Sequence, residues 1–335
     1  MIMGISFTSI NQTKLSTGEV YCETLCELAE ENPRIVALTA DLGQSSKIGE
    51  FMKKFPDRFY QFGIAEQNMY GAAAGMAKAG LIPFTSSFAI FTSCRALDQV
   101  HTDICYQRAN VKMISSHAGT SFGQAGTTHH STEDIAIMRS MANLVVIVPA
   151  DGMETANVVR AAVEYDGPVY IRINRGFDQL VYKDLDYGFE IGKAVQLAEG
   201  TDVTIIACGS GVFQAVQASA ELDAVGIKAR VLNMHTIKPI DKDAILKACR
   251  DTRRIITVED HNVIGGLGGA VAEVLAESGM SCAFRRLGLQ DCFSPIGYHE
   301  DLMAIHGIDT NGIVKSVHDL LKLDFEDDDD WEDEV

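Results

Sequence analysis

The stretch Phe59-Tyr-Gln-Phe-Gly-Ile-Ala-Glu-Gln-Asn68 carries a short apolar run across a glycine into the small-residue segment Glu66–Ala79. A strand that hands over to a helix in this way begins a βαβ unit. On its N-terminal side, Thr17 can cap a helix to about Glu31, with Tyr21, Leu25 and Leu28 on one face. Ile35–Ala40 then reads as a strand. On its C-terminal side, further strands read at Ile82–Ser86, Val111–Ser116, Leu144–Val148 and Val169–Ile173, with helical stretches between them. The polar, tyrosine-bearing segment Gly176–Gly192 reads as a linker. Beyond it come strands at Val203–Cys208, Ala229–Asn233, Ile255–Glu259 and Ala283–Leu287, with helices starting near Gly211, Asp241, Gly265 and Thr310. The expected class is α/β, with two doubly wound α/β domains. The expected division is an extension over 1–16, a first domain over 17–176, a linker over 177–192, a second domain over 193–322 and an acidic tail over 323–335.

The 335 residues suit about two domains, and 47% apolar with 22% charged residues is ordinary for a globular chain. The formal charge of −18 is concentrated at Glu326–Asp330 and Glu332–Glu334 around the lone Trp331. Such a run reads as a solvated appendage. A chain this acidic repels a phosphate backbone, so no nucleic-acid partner is expected. The eight cysteines form no CxxC pair, which leaves no zinc or iron–sulfur pattern. No signal peptide and no uninterrupted apolar stretch of about 18 residues is found, so no membrane association is expected. The expectation is a cytoplasmic protein with free thiols.

Glu66 lies where strand meets helix, in the favourable field of a helix N-terminus. It reads either as a catalytic carboxylate or as a plain capping residue. Phe88 and Phe91, three residues apart at a helix start, can grip a flat heterocycle or simply pack in the core. The long loop from His117 to His130 follows a strand's carboxyl end, where open α/β sheets place ligands. Its glycines permit close backbone approach and its histidines can donate to oxyanions. A metal site there is disfavoured, because His129 and His130 are adjacent and no zinc-like spacing is present. Arg172 and Arg175 follow another strand end. Either can clamp a phosphate, and Arg175 lies nearer the loop. Gly265-Gly-Leu-Gly-Gly269 is not a dinucleotide fingerprint and reads as a tightly packed helix start.

Taken together, Asp41-Leu42, Phe62–Asn68, Phe84–Phe91, the His117–His129 loop with Glu133–Ala136, and Val148–Asp151 resemble the carboxyl-terminal half of transketolase. The resemblance covers about Thr17 to Leu321. It implies a pyrimidine-binding domain followed by the transketolase C-terminal domain, with thiamine diphosphate and Mg²⁺ as cofactors. It implies that Glu66 hydrogen-bonds the aminopyrimidine and that Phe88 and Phe91 surround it. Ile64, Asp41 and Leu42 are implied near the cofactor, and Ser45, His117 and Arg175 around the substrate's phosphate. His129 is implied beside the reacting oxygens. The reaction implied is transfer of a two-carbon ketol unit from a ketose phosphate to an aldose acceptor.

The family's Gly-Asp-Gly…Asn pattern for magnesium and diphosphate is not found, so no metal-binding residue is assigned to this chain. The expectation is a separate N-terminal subunit that holds them, in an assembly of two copies of each chain with this chain self-associated at its core. Ala125 stands where transketolases usually carry an aspartate that reads a substrate hydroxyl. His130 replaces a glutamine, Cys94 a tyrosine, and an arginine near Ser16-Thr17 is missing. These changes suggest a non-standard sugar, such as apulose 4-phosphate or a sulfonated sugar. Rival readings are 1-deoxyxylulose-5-phosphate synthase, the β subunit of a 2-oxo acid dehydrogenase, and a non-catalytic scaffold subunit.

Overall fold

The computed structural model describes residues 14–323, so nearly all of the acidic tail lies outside the described residues. The first domain is built on a seven-stranded sheet. Its order is Thr236–Lys238, Val145–Ile147, Val169–Arg172, Lys112–Ser116, Ile82–Phe88, Ile35–Thr39 and Phe59–Gln61. All neighbours are parallel except the first pair. The strand Ile35–Thr39 explains why both faces are covered. Ile35 and Ala37 pack with the helices Thr17–Glu31 and Gly152–Glu164, while Val36 and Leu38 pack with the helix Glu66–Lys78. Apolar residues at consecutive positions therefore face opposite layers, as a doubly wound parallel sheet requires.

The second domain is a five-stranded sheet ordered Ala283–Leu289, Arg254–Asn262, Val203–Ala207, Ala229–Asn233 and Val195–Ala198, with the last strand antiparallel. The domains share one core. Val146 and Tyr170 of the first belong to the same apolar cluster as Ile206, Leu232 and Leu267 of the second. The second domain also lends an edge strand to the first sheet: Thr236–Lys238 pairs antiparallel with Val145–Ile147. The sequence reading has no strand there, because three residues ahead of a proline carry no local strand signal.

Other local differences have physical reasons. Ser16, not Thr17, caps the first helix, its hydroxyl accepting from the Glu19 N–H at 3.3 Å. Lys14–Ser16 pairs antiparallel with Phe177–Gln179, so the start of the expected linker is a strand. Further along that segment, Tyr182 is buried and stacks on Tyr187 with ring centroids 3.7 Å apart. The strand at Ile82 runs on to Phe88, and Phe91 opens a π-helical turn, Phe91–Arg95. A second π-helical turn spans Val100–Cys105. Such turns frequently mark functional sites.

Glu154 knots the domains together. Its carboxylate accepts from Asn233 Nδ2 at 2.9 Å, from the Ala150 N–H at 2.6 Å and from the Tyr187 hydroxyl at 3.1 Å. Burial pushes its carboxyl up from 4.5 to about 7, against the lowering effect of these donors. A folded-state value raised above the unfolded one gives stability that is fully present below 4.5 and is lost as pH rises through about 7. The span corresponds to roughly 3 kcal/mol. Urea unfolding midpoints should therefore fall across this window, and Glu154→Gln should flatten part of that fall. The rest should persist, since burial also pushes Glu259 up to about 7. An unchanged slope in Glu154→Gln would remove Glu154 as its source.

Candidate active site

The register of the first sheet brings its functional ends together. Thr39 lies opposite Ser86 and Gln61, Phe88 opposite Ser116, and Ser115 opposite Arg172. The segments that leave these carboxyl ends carry Asp41–Lys47, Gly63–Glu66, Phe91–Arg95, the His117 loop and Arg175. The Gln61 side chain ties two of them, its carbonyl oxygen accepting from the N–H groups of Asp41 at 2.7 Å and Gly63 at 3.1 Å. Asp41 sits at φ 62°, an uncommon conformation for a non-glycine residue. Asp41 and Ile64 are exposed and Leu42 is half-buried.

Glu66 is the first residue of its helix and is 1% exposed. Arg95 Nη1 donates to both of its carboxylate oxygens at 3.0 Å, and the Arg95 guanidinium lies over the Phe91 ring, 4.0 Å from its centroid. A carboxylate and an aromatic face thus flank one planar, donor-bearing group. Phe88 stacks on Phe91 at 5.5 Å and on His117 at 3.9 Å. The half-buried His129 meets Phe88, Phe91 and Phe122 edge-on, with centroids 5.6–6.2 Å away. This aromatic cluster joins the Glu66 side of the site to a cavity of about 540 Å³ lined by Ser45, His117 and Arg175.

His117 is buried and holds a left-handed conformation, φ 59°. Burial, together with the charges of Arg175 and His129, pushes its imidazole down to about 3. At neutral pH it is therefore an uncharged hydrogen-bonding group, with Nδ1 3.0 Å from the Ser116 hydroxyl. Arg175 is exposed and lies over the Phe122 ring at 4.7 Å. Arg172 is turned away from the cavity. It is buried against Asp134, with Nε 2.8 Å from Oδ2, and donates to the carbonyls of Ser131 and Asp260.

The second domain holds the loop in place. Asp260 accepts from the Thr120 N–H and hydroxyl, each at 2.9 Å. A Cβ on Gly119, at φ 56°, would come within 2.0 Å of Asp260 Oδ2, and one on Gly123 within 2.3 Å of the Gly297 carbonyl. Only glycine allows the two domains to close this tightly on the loop. His130 is buried and bonds the Gly123 carbonyl through Nε2 at 3.2 Å, so it braces the loop from within. Ala125 ends a short 3₁₀ turn, and Cys94 is exposed. Glu259 caps the glycine-rich helix start, accepting from the N–H groups of Leu267 and Gly268. Among the described residues, no group of three His, Cys, Asp or Glu side chains is placed to hold a metal ion. None of the described helices is long and apolar enough to cross a membrane.

Residues 13–177 match the transketolase pyrimidine binding domain, and residues 192–313 the transketolase C-terminal domain. A putative transketolase C-terminal section from Methanocaldococcus jannaschii is 44% identical over 303 residues, covering 90% of this chain and 95% of that protein. The chain belongs to the transketolase family. One of the subunits of an apulose-4-phosphate transketolase from Phocaeicola vulgatus is 41% identical over 90% of this chain and 96% of its own length. A solved structure described as a split gene transketolase, inactive beta4 tetramer, superposes with a TM-score of 0.83 at 42% identity, covering 92% of this chain and 99% of that one. Within this transketolase chain, sequence reasoning missed Arg95 and Asp260. Nothing local separates Arg95 from a surface arginine on a helix. Asp260, by contrast, stands in Glu259-Asp-His261 near a strand's carboxyl end, a position that could have flagged it.

Proposed function

We propose that this chain is the C-terminal subunit of a two-chain transketolase. It transfers a two-carbon ketol unit from a ketose phosphate to an aldose acceptor, and acts only with a partner. The carrying observation is the continuity of the buried Glu66, the Phe88–Phe91 stack and the cavity of Ser45, His117 and Arg175 through one aromatic cluster. A relative of nearly the same length that is named as a single subunit of its transketolase supports the division into two chains.

The residues fit the aminopyrimidine end of thiamine diphosphate. The Arg95 guanidinium, flat and rich in N–H groups, already meets both the Phe91 face and the Glu66 carboxylate, which is what such a ring requires. When bound, the cofactor supplies the carbanion chemistry. Glu66 holds a proton at a ring nitrogen. Phe88, Phe91 and Ile64 pack the ring, and Asp41 and Leu42 border it. His129 donates to the reacting oxygens of the sugar. Ser45, His117 and Arg175 bind the anionic end of the substrate. Mg²⁺ and the diphosphate fall to the partner subunit, in a cytoplasmic assembly of two copies of each chain. Ala125 has no carboxylate for a substrate hydroxyl, which favours a non-standard ketose phosphate such as apulose 4-phosphate.

The test is ketol transfer by the chain co-purified with its partner against the chain alone, with thiamine diphosphate and Mg²⁺ in both. Transfer is expected only in the co-purified sample. Transfer by the chain alone would overturn the need for a partner. Ordinary rates on xylulose 5-phosphate with ribose 5-phosphate would overturn the choice of sugar.

A further inference from the structure

The cavity that holds Ser45, His117 and Arg175 has a second cation on its wall. Lys47 follows Ser45 and Ser46 in the loop after the strand Ile35–Thr39, whereas Arg175 comes from the segment after Val169–Arg172. Lys47 adopts φ 63°, a left-handed conformation that costs a non-glycine residue free energy and is found preferentially at functional sites. Its stem crosses the first turn of the helix Thr17–Glu31 at Gly18. A Cβ there would lie 3.0 Å from Lys47 Cγ, so the glycine makes room for the lysine. The neighbouring Ser46, also on the cavity wall, is 1% exposed, and its hydroxyl has no partner among the described residues.

Lys47 is held only loosely. Its ammonium pairs with Glu19 at 3.2 Å, with both side chains about half exposed, at 48% and 49%. Such surface pairs contribute about 0–1 kcal/mol, so a bound anion can replace the carboxylate. His117 adds no charge, because its imidazole is neutral at working pH.

We propose that Lys47 is the second cation of this anion subsite, and that with Arg175 it selects a doubly charged phosphate ester over a singly charged sulfonate. This rests on the reading that the cavity receives the anionic end of the sugar. Each added ligand charge meets both cations, so the attraction to a dianion is about twice that to a monoanion. A phosphate monoester carries about −1.5 to −2 at neutral pH. The ammonium acts as a mobile point charge, while Arg175 offers a fixed planar fork.

The experiment measures binding of methyl phosphate and of methanesulfonate to the full chain by thermal shift, at constant ionic strength. The unsubstituted chain should bind methyl phosphate more tightly. Lys47→Met should weaken methyl phosphate by at least about tenfold, leave methanesulfonate less affected, and narrow the preference, since Arg175 alone still attracts the second charge. Lys47→Arg should keep most of the preference. In the assembled enzyme, Lys47→Met should raise KM for the ketose donor with kcat nearly unchanged. Equal binding of methyl phosphate by Lys47→Met and the unsubstituted chain would overturn the proposal, as would a preference for methanesulfonate or binding of neither probe. The two readings fail separately. Binding without ketol transfer counts against the proposed reaction alone. Ketol transfer with binding and KM indifferent to Lys47→Met counts against Lys47 alone.

Discussion

Replacing Glu66 with alanine should cut ketol transfer by the assembled enzyme about 10²–10⁴-fold, the range for a positioned group that controls a proton. Assembly with the partner, read by size-exclusion chromatography, should not change. Glu66 is 1% exposed and begins its helix, where the N-terminal dipole favours a negative charge. Among the described residues its side-chain partner is Arg95, which is 45% exposed and remains solvated when the carboxylate is removed. The folding cost is therefore small and the loss falls on turnover. Glu66→Gln keeps the shape but not the charge, and should also be slow. A Glu66→Ala enzyme with full turnover would instead mark this chain as a scaffold.

Removing Arg172 should produce the largest loss of stability. The Arg172 side chain is 3% exposed and that of Asp134 is 0% exposed. Tyr170 also donates its hydroxyl to Asp134 Oδ2 at 2.7 Å. Burial alone would push the Asp134 carboxyl up, yet the Arg172 charge holds it below the usual carboxylate range. Arg172→Met leaves that carboxylate buried and unpaired, at a cost of about 3–5 kcal/mol. It also frees the carbonyls of Ser131 and Asp260, which sit at the end of the active-site loop and in the second domain. KM should therefore rise along with the fall in stability. Pairing Arg172→Met with Asp134→Leu should recover much of the stability, because no lone charge remains. Urea unfolding of the three chains decides it, and a single-variant loss below about 1 kcal/mol would contradict the buried-pair account.

What could be read in the sequence was whatever neighbouring residues encode. The strand Ile35–Thr39 announces itself because apolar residues at successive positions leave no polar face. The long loop at His117 stood out because its length and glycines are unusual between a strand and a helix. Those signals pointed to the His117 loop and Arg175, and the resemblance to transketolase added Ser45; the structure brings the three around one cavity. The illegible part depends on distant partners. Thr236–Lys238 is a strand only because Val145–Ile147 offers it an edge. Phe88 ends a strand and Phe91 opens a π-helical turn, although their spacing reads equally well as one helical face. Arg95 gains meaning from Glu66, 29 positions away, and Lys47 from Arg175 across the sheet ends. Ser16 and Thr17 are both good caps, and the pairing of Lys14–Ser16 with Phe177–Gln179 accompanies the choice of Ser16.

The borrowed strand Thr236–Lys238 bears on how this chain can be cut. Severed near residue 180, the N-terminal piece would keep six of the seven strands of the first sheet but bare the edge at Val145–Ile147, whose three residues are all buried in the intact chain. An apolar edge with unpaired N–H and C=O groups is a template for pairing with another molecule. The boundary between the two family domains is thus a boundary of ancestry rather than of autonomous folding, and a fragment made there invites aggregation.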